Sequence, residues 1–169
     1  MYQRILVPID GSATSDCGLD EAIRLAKLTG GRLRLVHVVD GLVLSTGLEF
    51  ATCDVVGLLV EAGAEILSAA RAKVESAGVA VDTFLSHTLA ERVCDVVVAQ
   101  ARQWKGDLIV IGTHGRRGAK RLLIGSDAEQ IVRTAPVPVL LIRSEGDEVR
   151  TAAVGGSGAA ASPADKLAA

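Results

Sequence analysis

Aromatic side chains are scarce in this sequence, since Phe, Trp and Tyr together make up 2% of its 169 residues. Proteins that bind single-stranded nucleic acid stack the bases on such side chains. A formal net charge of -2 provides no electrostatic attraction for a polyanion either. We therefore expect no nucleic-acid partner. With few aromatics the core has to be aliphatic, a composition typical of parallel sheets covered by helices.

Long apolar runs and paired cysteines are also missing. No run of about 18 apolar residues, the length of a membrane-spanning helix, occurs, and the first residues show no signal peptide. Cys17, Cys53 and Cys94 are far apart and form no CxxC pair, which suits a reducing compartment rather than a disulfide framework. Together with the three histidines they show no metal-ligand spacing. We expect a cytoplasmic protein with no membrane partner and no metal site.

Short apolar runs alternate with longer amphipathic segments. The apolar runs predict five strands, at residues 4–8, 32–39, 79–85, 107–112 and 137–143. The segments between them predict four helices: one from the turn at 10–12 to the glycines at 30–31, a long one ending near 78, a third at 89–104 and a fourth at 126–134. Connections of this length imply right-handed crossovers. We therefore predict an α/β fold with a single doubly wound parallel sheet and helices on both faces.

The end of the sequence differs in composition from the rest. Pro138 cannot donate to a ladder, so the fifth strand is predicted to be an edge strand. Residues 145–169 are mostly Ala, Gly and Ser, which predicts a flexible tail after a domain at residues 1–144. The last four residues, 166–169, have the character of a cloning remnant.

The segment after the fourth strand combines glycines with positive charge. Gly112, Gly115 and Gly125 can adopt positive φ and let backbone amides approach an anion. Gly125 and Ser126 lead into a helix, whose N-terminal amides and dipole attract phosphate. Four cationic side chains lie in the same excursion: Arg116, Arg117, Lys120 and Arg121. Because ligands of open parallel sheets bind at the carboxyl ends of strands, the segment predicts a phosphate-binding loop.

A purely structural interpretation of the same residues stays open. Glycines mark turns in every α/β protein, and Ser126 with Glu129 matches an S-x-x-E capping box. On that interpretation Ser126 caps its helix and the cations form a solvated surface. The coincidence of spaced glycines, a Gly-Ser helix entry, the cations and the strand end favours phosphate. A handful of charge-assisted hydrogen bonds, at roughly 1.5–3 kcal/mol each, supports binding of about micromolar strength.

Other nucleotide and hydrolase signatures do not fit. A Walker A loop requires G-x-x-x-x-G-K-[ST], whereas Gly112 and Gly118 are one residue too far apart and no Lys-Ser/Thr pair follows. No G-x-G-x-x-G follows the first strand, as a dinucleotide site requires. The G-x-S-x-G elbow of α/β hydrolases is absent as well.

Taken together, Gly112, Gly115, Gly125 and Ser126 form the pattern G-x2-G-x9-G-S, which resembles the ATP-binding motif of the universal stress protein family. The resemblance extends to three further segments in the same order: I-L-V-P-I-D-G-S at 5–12, V-H-V at 36–38 and A-P-V-P-V-L-L-I-R at 135–143. It thus covers roughly residues 1–144.

This resemblance implies a five-stranded sheet of order 3-2-1-4-5, of the adenine nucleotide alpha hydrolase-like type. Adenine would lie near Asp10 and the backbone of Val38, with Pro8 on the same wall. The ribose and phosphates would lie along the glycine motif and its neighbours, namely Gly112, Gly115, Arg116, Arg117, Gly125, Ser126 and Asp127. The carboxylate of Asp127 would then have to face a Mg²⁺ shell or solvent. The resemblance also implies ATP as ligand, with Mg²⁺, and a homodimer formed through residues 137–143.

The remaining polar residues indicate little chemistry. His37 lies between two valines of a strand and is expected to be a hydrogen-bonded core histidine. Asp10 is also explained as a turn residue that bonds its own backbone. No second carboxylate or base is placed to activate water. We therefore expect an ATP-binding stress-response module rather than a fast enzyme, with a slow ATPase or autophosphorylating protein, and a nucleotide-independent docking protein, as the alternatives.

Overall fold

The computed structural model describes residues 1–39, 53–86, 91–113 and 124–143. Strands and helices alternate along the chain. They are β1 (Arg4–Pro8), α1 (Ala13–Thr29), β2 (Arg32–Val38), α2 (Cys53–Ser76), β3 (Val81–Ser86), α3 (Val93–Gln103), β4 (Leu108–Gly112), α4 (Ser126–Thr134) and β5 (Val139–Ile142).

The five strands form one parallel sheet in the order β3-β2-β1-β4-β5. The predicted α/β class, the doubly wound sheet and its order are thereby confirmed. The chain first builds outward from β1 to β3, then returns to place β4 on the other side of β1. The winding direction therefore reverses between β1 and β4, and the carboxyl ends of these strands border the crevice in which such folds bind ligands.

Helices cover both faces of the sheet and bury an aliphatic core. One face packs against α1 and α2, and its strand residues include Ile5, Val7, Leu33, Leu35 and Val110. The other face packs against α3 and α4, and its strand residues include Leu6, Val36, Ile109 and Ile111. The central strands are thus apolar on both sides, as expected for a covered parallel sheet.

The first helix shows how local signals determine its ends. The Ser12 side chain accepts a hydrogen bond from the Ser15 N–H at 3.2 Å and so caps the N-terminus. Gly30, at φ 67°, ends the helix in the left-handed conformation. Leu19, Ile23 and Ala26, whose spacing predicts one apolar face of a helix, are all buried.

Several predicted boundaries differ from the structure. The third helix begins at Val93 rather than at 89, because Arg92 is an extended N-cap residue; residues 87–90 lie outside the described part. The third strand begins at Val81, because buried Val79 still belongs to the helix exit, where its N–H bonds the Val74 carbonyl at 3.2 Å. The fifth strand begins at Val139 and is an edge strand, as the proline predicted.

Candidate functional site

The carboxyl end of β1 places a carboxylate at the mouth of the crevice. Pro8 is the last residue of β1. Asp10 is half-buried two residues later, and its Oδ1 accepts a hydrogen bond from the Ser12 N–H at 2.9 Å. Gly11 between them has φ +77°. The turn interpretation of Asp10 therefore describes its local structure correctly, and the turn leads directly into α1.

The carboxyl end of β4 is joined to the start of α4. The Thr113 N–H donates to the Ile142 carbonyl at 2.8 Å, and the Thr113 carbonyl accepts from the Gly125 N–H at 2.8 Å. The end of β4 and the start of α4 are therefore held next to each other. The predicted loop residues between these two ends lie outside the described residues, namely Gly115, Arg116, Arg117, Lys120 and Arg121.

The N-terminus of α4 begins at a glycine. Gly125 is the N-cap residue, with φ −58° and ψ 148°, and it has no side chain with which to cap the first turn. The first bond of the helix runs from the Glu129 N–H to the Gly125 carbonyl at 2.9 Å. The capping-box interpretation of Ser126 was therefore wrong, because Ser126 is the first residue inside the helix rather than the cap. The amides of residues 126–128 precede the helix's own ladder and point out of its end.

The glycines of the motif do not use positive φ where the structure describes them. Among the described glycines only Gly11, Gly30 and Gly78 have positive φ, so that expectation was wrong for Gly112 and Gly125. At Gly112 a Cβ atom would lie 2.8 Å from both Cγ2 and the carbonyl oxygen of Thr14. Close packing of α1 against β4 therefore requires this glycine.

Val38 lies at the same edge of the sheet, on the neighbouring strand β2. It is the last residue of β2 and is 9% exposed. Register pairing between β1 and β2 ends at Pro8 and Val36. Since adjacent strands lie about 4.8 Å apart, the Val38 backbone lies beside the segment that leads to Asp10. Pro8, Asp10, Val38, Gly112, Gly125 and Ser126 are thus all brought to the same edge of the sheet.

His37 belongs to this edge although the predicted site does not include it. Its side chain is 5% exposed, and Nδ1 donates to the Ile9 carbonyl at 2.7 Å. The expectation of a hydrogen-bonded core histidine is confirmed. The bond partner, next to Asp10, could not be predicted, because it depends on how far β1 and β2 pair.

Asp127 lies near a cation on the neighbouring helix. Its carboxylate is exposed and acts electrostatically on Arg92, at the N-cap of α3. Arg92 also pairs with Asp95 through Nε and Oδ2 at 3.0 Å. The hydrogen bond from Arg92 lowers the pKa of the Asp95 carboxyl, and burial raises the pKa of the Cys94 thiol behind it. The negative charge of Asp127 at the helix start therefore has positive charge nearby.

The described residues hold neither a metal-binding group of side chains nor a membrane-spanning helix. Across residues 1–39, 53–86, 91–113 and 124–143, no three His, Cys, Asp or Glu side chains are grouped closely enough to hold a metal ion. Over the same ranges, no helix combines the length and the hydropathy needed to span a bilayer.

A sequence profile of the universal stress protein family matches residues 1–143. This chain belongs to that family. A universal stress protein of Methanocaldococcus jannaschii is 32% identical over 153 residues, which cover 88% of this chain and 86% of the relative. The crystal structure of a universal stress protein family member from Burkholderia pseudomallei is 34% identical with a TM-score of 0.70, covering 85% of this chain and 97% of that one.

A third similar protein was solved with a nucleotide. It is the universal stress protein from Archaeoglobus fulgidus in complex with dAMP, 25% identical with a TM-score of 0.61 over 83% of this chain and 98% of that one. The resemblance of this chain to universal stress proteins and the adenine nucleotide alpha hydrolase-like fold that it implied are both confirmed.

Proposed function

We propose that this protein is an ATP-binding regulatory module of the stress response, which works as a homodimer and changes its surface or stability when nucleotide binds. The observation that supports it most is the position of the N-terminus of α4, whose N-cap is a glycine. The bond between Gly125 and Thr113 holds that helix end at the carboxyl end of β4, beside the crevice that Asp10 borders.

The geometry supports a division of the site into two parts. Adenine would lie against Pro8, Asp10 and the backbone of Val38, because these residues form one wall at the ends of β1 and β2. The phosphates would lie at the first-turn amides of α4, because a helix N-terminus attracts anions. The dAMP complex of the Archaeoglobus fulgidus relative supports an adenine nucleotide as the ligand.

The phosphate part would include residues on both sides of Thr113. Gly112, Gly125 and Ser126 provide its described backbone, and Gly115, Arg116 and Arg117 would complete it. Mg²⁺ that accompanies ATP keeps several waters and is held largely by phosphate oxygens. Asp127, exposed in the first turn of α4, is a suitable carboxylate to face that shell. The sequence motif and the helix end thus favour a triphosphate over a bare nucleoside.

Binding rather than rapid turnover is proposed because of the groups around Asp10. Its carboxylate already accepts the Ser12 amide, and the other described carboxylate of the proposed site, that of Asp127, is assigned to the Mg²⁺ shell rather than to activation of water. One observation does favour slow autophosphorylation as a second candidate. Ser126 does not cap α4, so its exposed hydroxyl lies at the proposed phosphate site.

The dimer would form along the outer edge of β5. The carbonyls of Pro138 and Ile142 bond β4, so by alternation the backbone groups of Val139 and Leu141 point away from the sheet. The side chains of β5 are all half-buried and apolar. An apolar edge of this kind needs a cover, and a second copy of β5 would provide one. Val139→Pro removes an outward N–H and keeps the bonds to β4, although it also replaces a side chain that packs against the core. It should convert dimer to monomer in sedimentation measurements while the monomer stays folded; an unchanged dimer would refute this interface.

We also propose that residues 1–144 form the nucleotide-binding domain, that residues 145–169 form a flexible tail, and that the protein works in the cytoplasm. Among the described residues Cys17 and Cys94 are free thiols, which suits a reducing compartment. Limited proteolysis followed by mass spectrometry tests the boundary. Cleavage near 145 that leaves ATP binding intact is expected, and loss of binding on removal of the tail would contradict it.

The test of binding is a thermal shift with MgATP, compared between the wild type and Asp10→Asn. An asparagine oxygen can still accept from Ser12, so the turn is kept while the carboxylate is lost. At 100 times Kd the wild type should gain about 2.7 kcal/mol, or roughly 5–10 °C in Tm. Asp20→Asn, half-exposed on α1 and paired with Lys73 near the end of α2, is the matched control and should respond like the wild type.

Two outcomes would count against the proposal. If the wild type shows no shift at millimolar MgATP, adenine nucleotide binding is refuted. If Asp10→Asn shifts as much as the wild type, Asp10 takes no part in it. Autophosphorylation is tested separately with γ-labelled ATP, where label on the wild type but not on Ser126→Ala would support it, and unlabelled wild type would exclude it.

A further inference from the structure

The hydrogen-bond ladder between β1 and β2 stops at the edge of the candidate site. Its last bond joins the Ile9 N–H to the Val36 carbonyl at 2.8 Å. In a continuing parallel ladder the next bond would run from the Val38 N–H to the Ile9 carbonyl. Within the described ranges no such backbone bond is made, although β2 extends through Val38.

The imidazole of His37 takes the place of that bond. Its Nδ1 lies 2.7 Å from the Ile9 carbonyl oxygen. A carbonyl only accepts, so Nδ1 carries the hydrogen. The ring is buried, at 5% exposure, which makes this a bond shielded from water. The side chain of His37 therefore donates to the same Ile9 carbonyl that the Val38 N–H would bind in a continuing ladder.

Helix α2 holds the ring in this position. A Cβ atom at Gly63 would lie 2.7 Å from Cδ2 and 3.0 Å from Nε2 of His37, and 3.1 Å from Cδ1 of Leu85. Only glycine allows the helix to pass so close to the ring. Glycine inside a helix is unfavourable relative to alanine, so the close approach to His37 offers a physical reason for Gly63.

We infer that His37 is a positioning residue for recognition of the adenine base. A carbonyl oxygen can accept two hydrogen bonds, so His37 acts by turning the Ile9 carbonyl out of line with the Val38 N–H. This N–H stays out of the ladder and can donate to a ring nitrogen of the base. Amides of alternate β2 residues point towards β1, which directs that of Val38 to the crevice beside Asp10. This inference rests on the proposed nucleotide site. It adds the residue, His37, that keeps the backbone donor of that site, the Val38 N–H, out of the ladder.

The first test compares two substitutions at His37. His37→Met fills similar space without a donor, so the Ile9 carbonyl can pair with Val38, and ATP should bind about tenfold more weakly. His37→Asn keeps a donor near the Nδ1 position and should stay within about threefold of the wild type. Inorganic tripolyphosphate, which has no base, should bind all three proteins equally in calorimetric titrations.

A control separates this role from simple loss of stability. Val74→Ala removes a fully buried side chain of α2 near the opposite edge of the sheet, where α2 leads into β3. It should lower Tm yet leave the ratio of ATP to tripolyphosphate affinity unchanged. If Val74→Ala moves the ratio as much as His37→Met does, the effect is one of stability and the inference is wrong.

The second test uses two glycines of the same helix. Gly63→Ala should displace His37 and weaken ATP binding, although alanine favours the helix. Gly57→Ala makes the same change where a Cβ meets nothing within 4 Å, and should leave ATP affinity unchanged. Equal affinities in the two variants would contradict the proposed coupling between α2 and the site.

A measurement without ligand separates failure of this inference from failure of the proposed function. Amide hydrogen exchange followed by NMR should show slower exchange of the Val38 amide in His37→Met than in the wild type. If the wild type binds no adenine nucleotide, the proposed function and the adenine role fail together, and the exchange rates still decide whether His37 ends the ladder. If His37→Met binds ATP like the wild type, the inference is overturned while the proposed function stands.

Discussion

A glycine at the end of β4 is explained either by close packing against α1 or by the approach of a phosphate. The substitution Gly112→Ala distinguishes these two explanations. The added Cβ would lie 2.8 Å from Cγ2, 2.8 Å from the carbonyl oxygen and 2.9 Å from the carbonyl carbon of Thr14. Two of these atoms are backbone, so rotation of a side chain cannot relieve the contact, and the start of α1 has to move by roughly 0.5 Å. Overpacking of this kind costs about 1–3 kcal/mol.

Thermal and urea unfolding measure the effect. At 2–4 °C per kcal/mol for a chain of this size, we expect Tm to fall by roughly 2–12 °C. Gly106→Ala is the matched control, because it is also buried but its Cβ would meet its neighbours at 3.6 Å, and it should stay within about 0.5 kcal/mol. If Gly112→Ala is as stable as the control but binds ATP more weakly, the packing explanation is wrong and a phosphate role explains the glycine.

Three further expectations concern helix ends and a thiol. Ser12→Ala removes the cap of α1 and should cost about 1 kcal/mol in urea unfolding; an unchanged midpoint would show that the cap adds nothing. Gly125→Ser introduces a capping oxygen at α4, so it should stabilise the protein by a few tenths of a kcal/mol and weaken ATP binding, and tighter binding would argue against phosphate at these amides. Because burial raises its pKa, Cys94 should be alkylated at pH 8 at least about tenfold more slowly than half-buried Cys17 and faster as pH rises; equal rates in peptide mass spectrometry would contradict this.

Hydrophobic periodicity was sufficient to predict which strands and helices form, but not where each of them begins and ends. The buried face of α1 followed from the spacing of Leu19, Ile23 and Ala26, and a proline indicated the edge strand. The apolar run that begins at Val79 predicts a strand from that residue, yet an apolar residue in a helix exit is buried in the same way. The start of α3 was misplaced because an extended Arg92 has no local signal that distinguishes it from a helical one. The strand order followed from the family resemblance.

The candidate site shows a different limit. Gly112 was correctly singled out, but a glycine needed for helix packing and a glycine needed for an anion look alike in one sequence. The S-x-x-E pattern predicts Ser126 as the cap of a capping box. Gly125 is the N-cap instead, because its carbonyl accepts the first helical bond from the Glu129 N–H while its own N–H is held by the Thr113 carbonyl. That contact spans the whole loop excursion, so no local pattern could reveal it.

We propose that an adenine nucleotide binds where the winding reverses between β1 and β4. Titration of ¹⁵N-labelled protein with MgATP, followed by NMR, tests this position because every backbone amide gives its own signal. We expect the largest chemical-shift changes at Asp10, Val38 and Ser126. Changes confined to the opposite edge of the sheet, around Gly30 and Arg32, or no changes at millimolar MgATP, would contradict it.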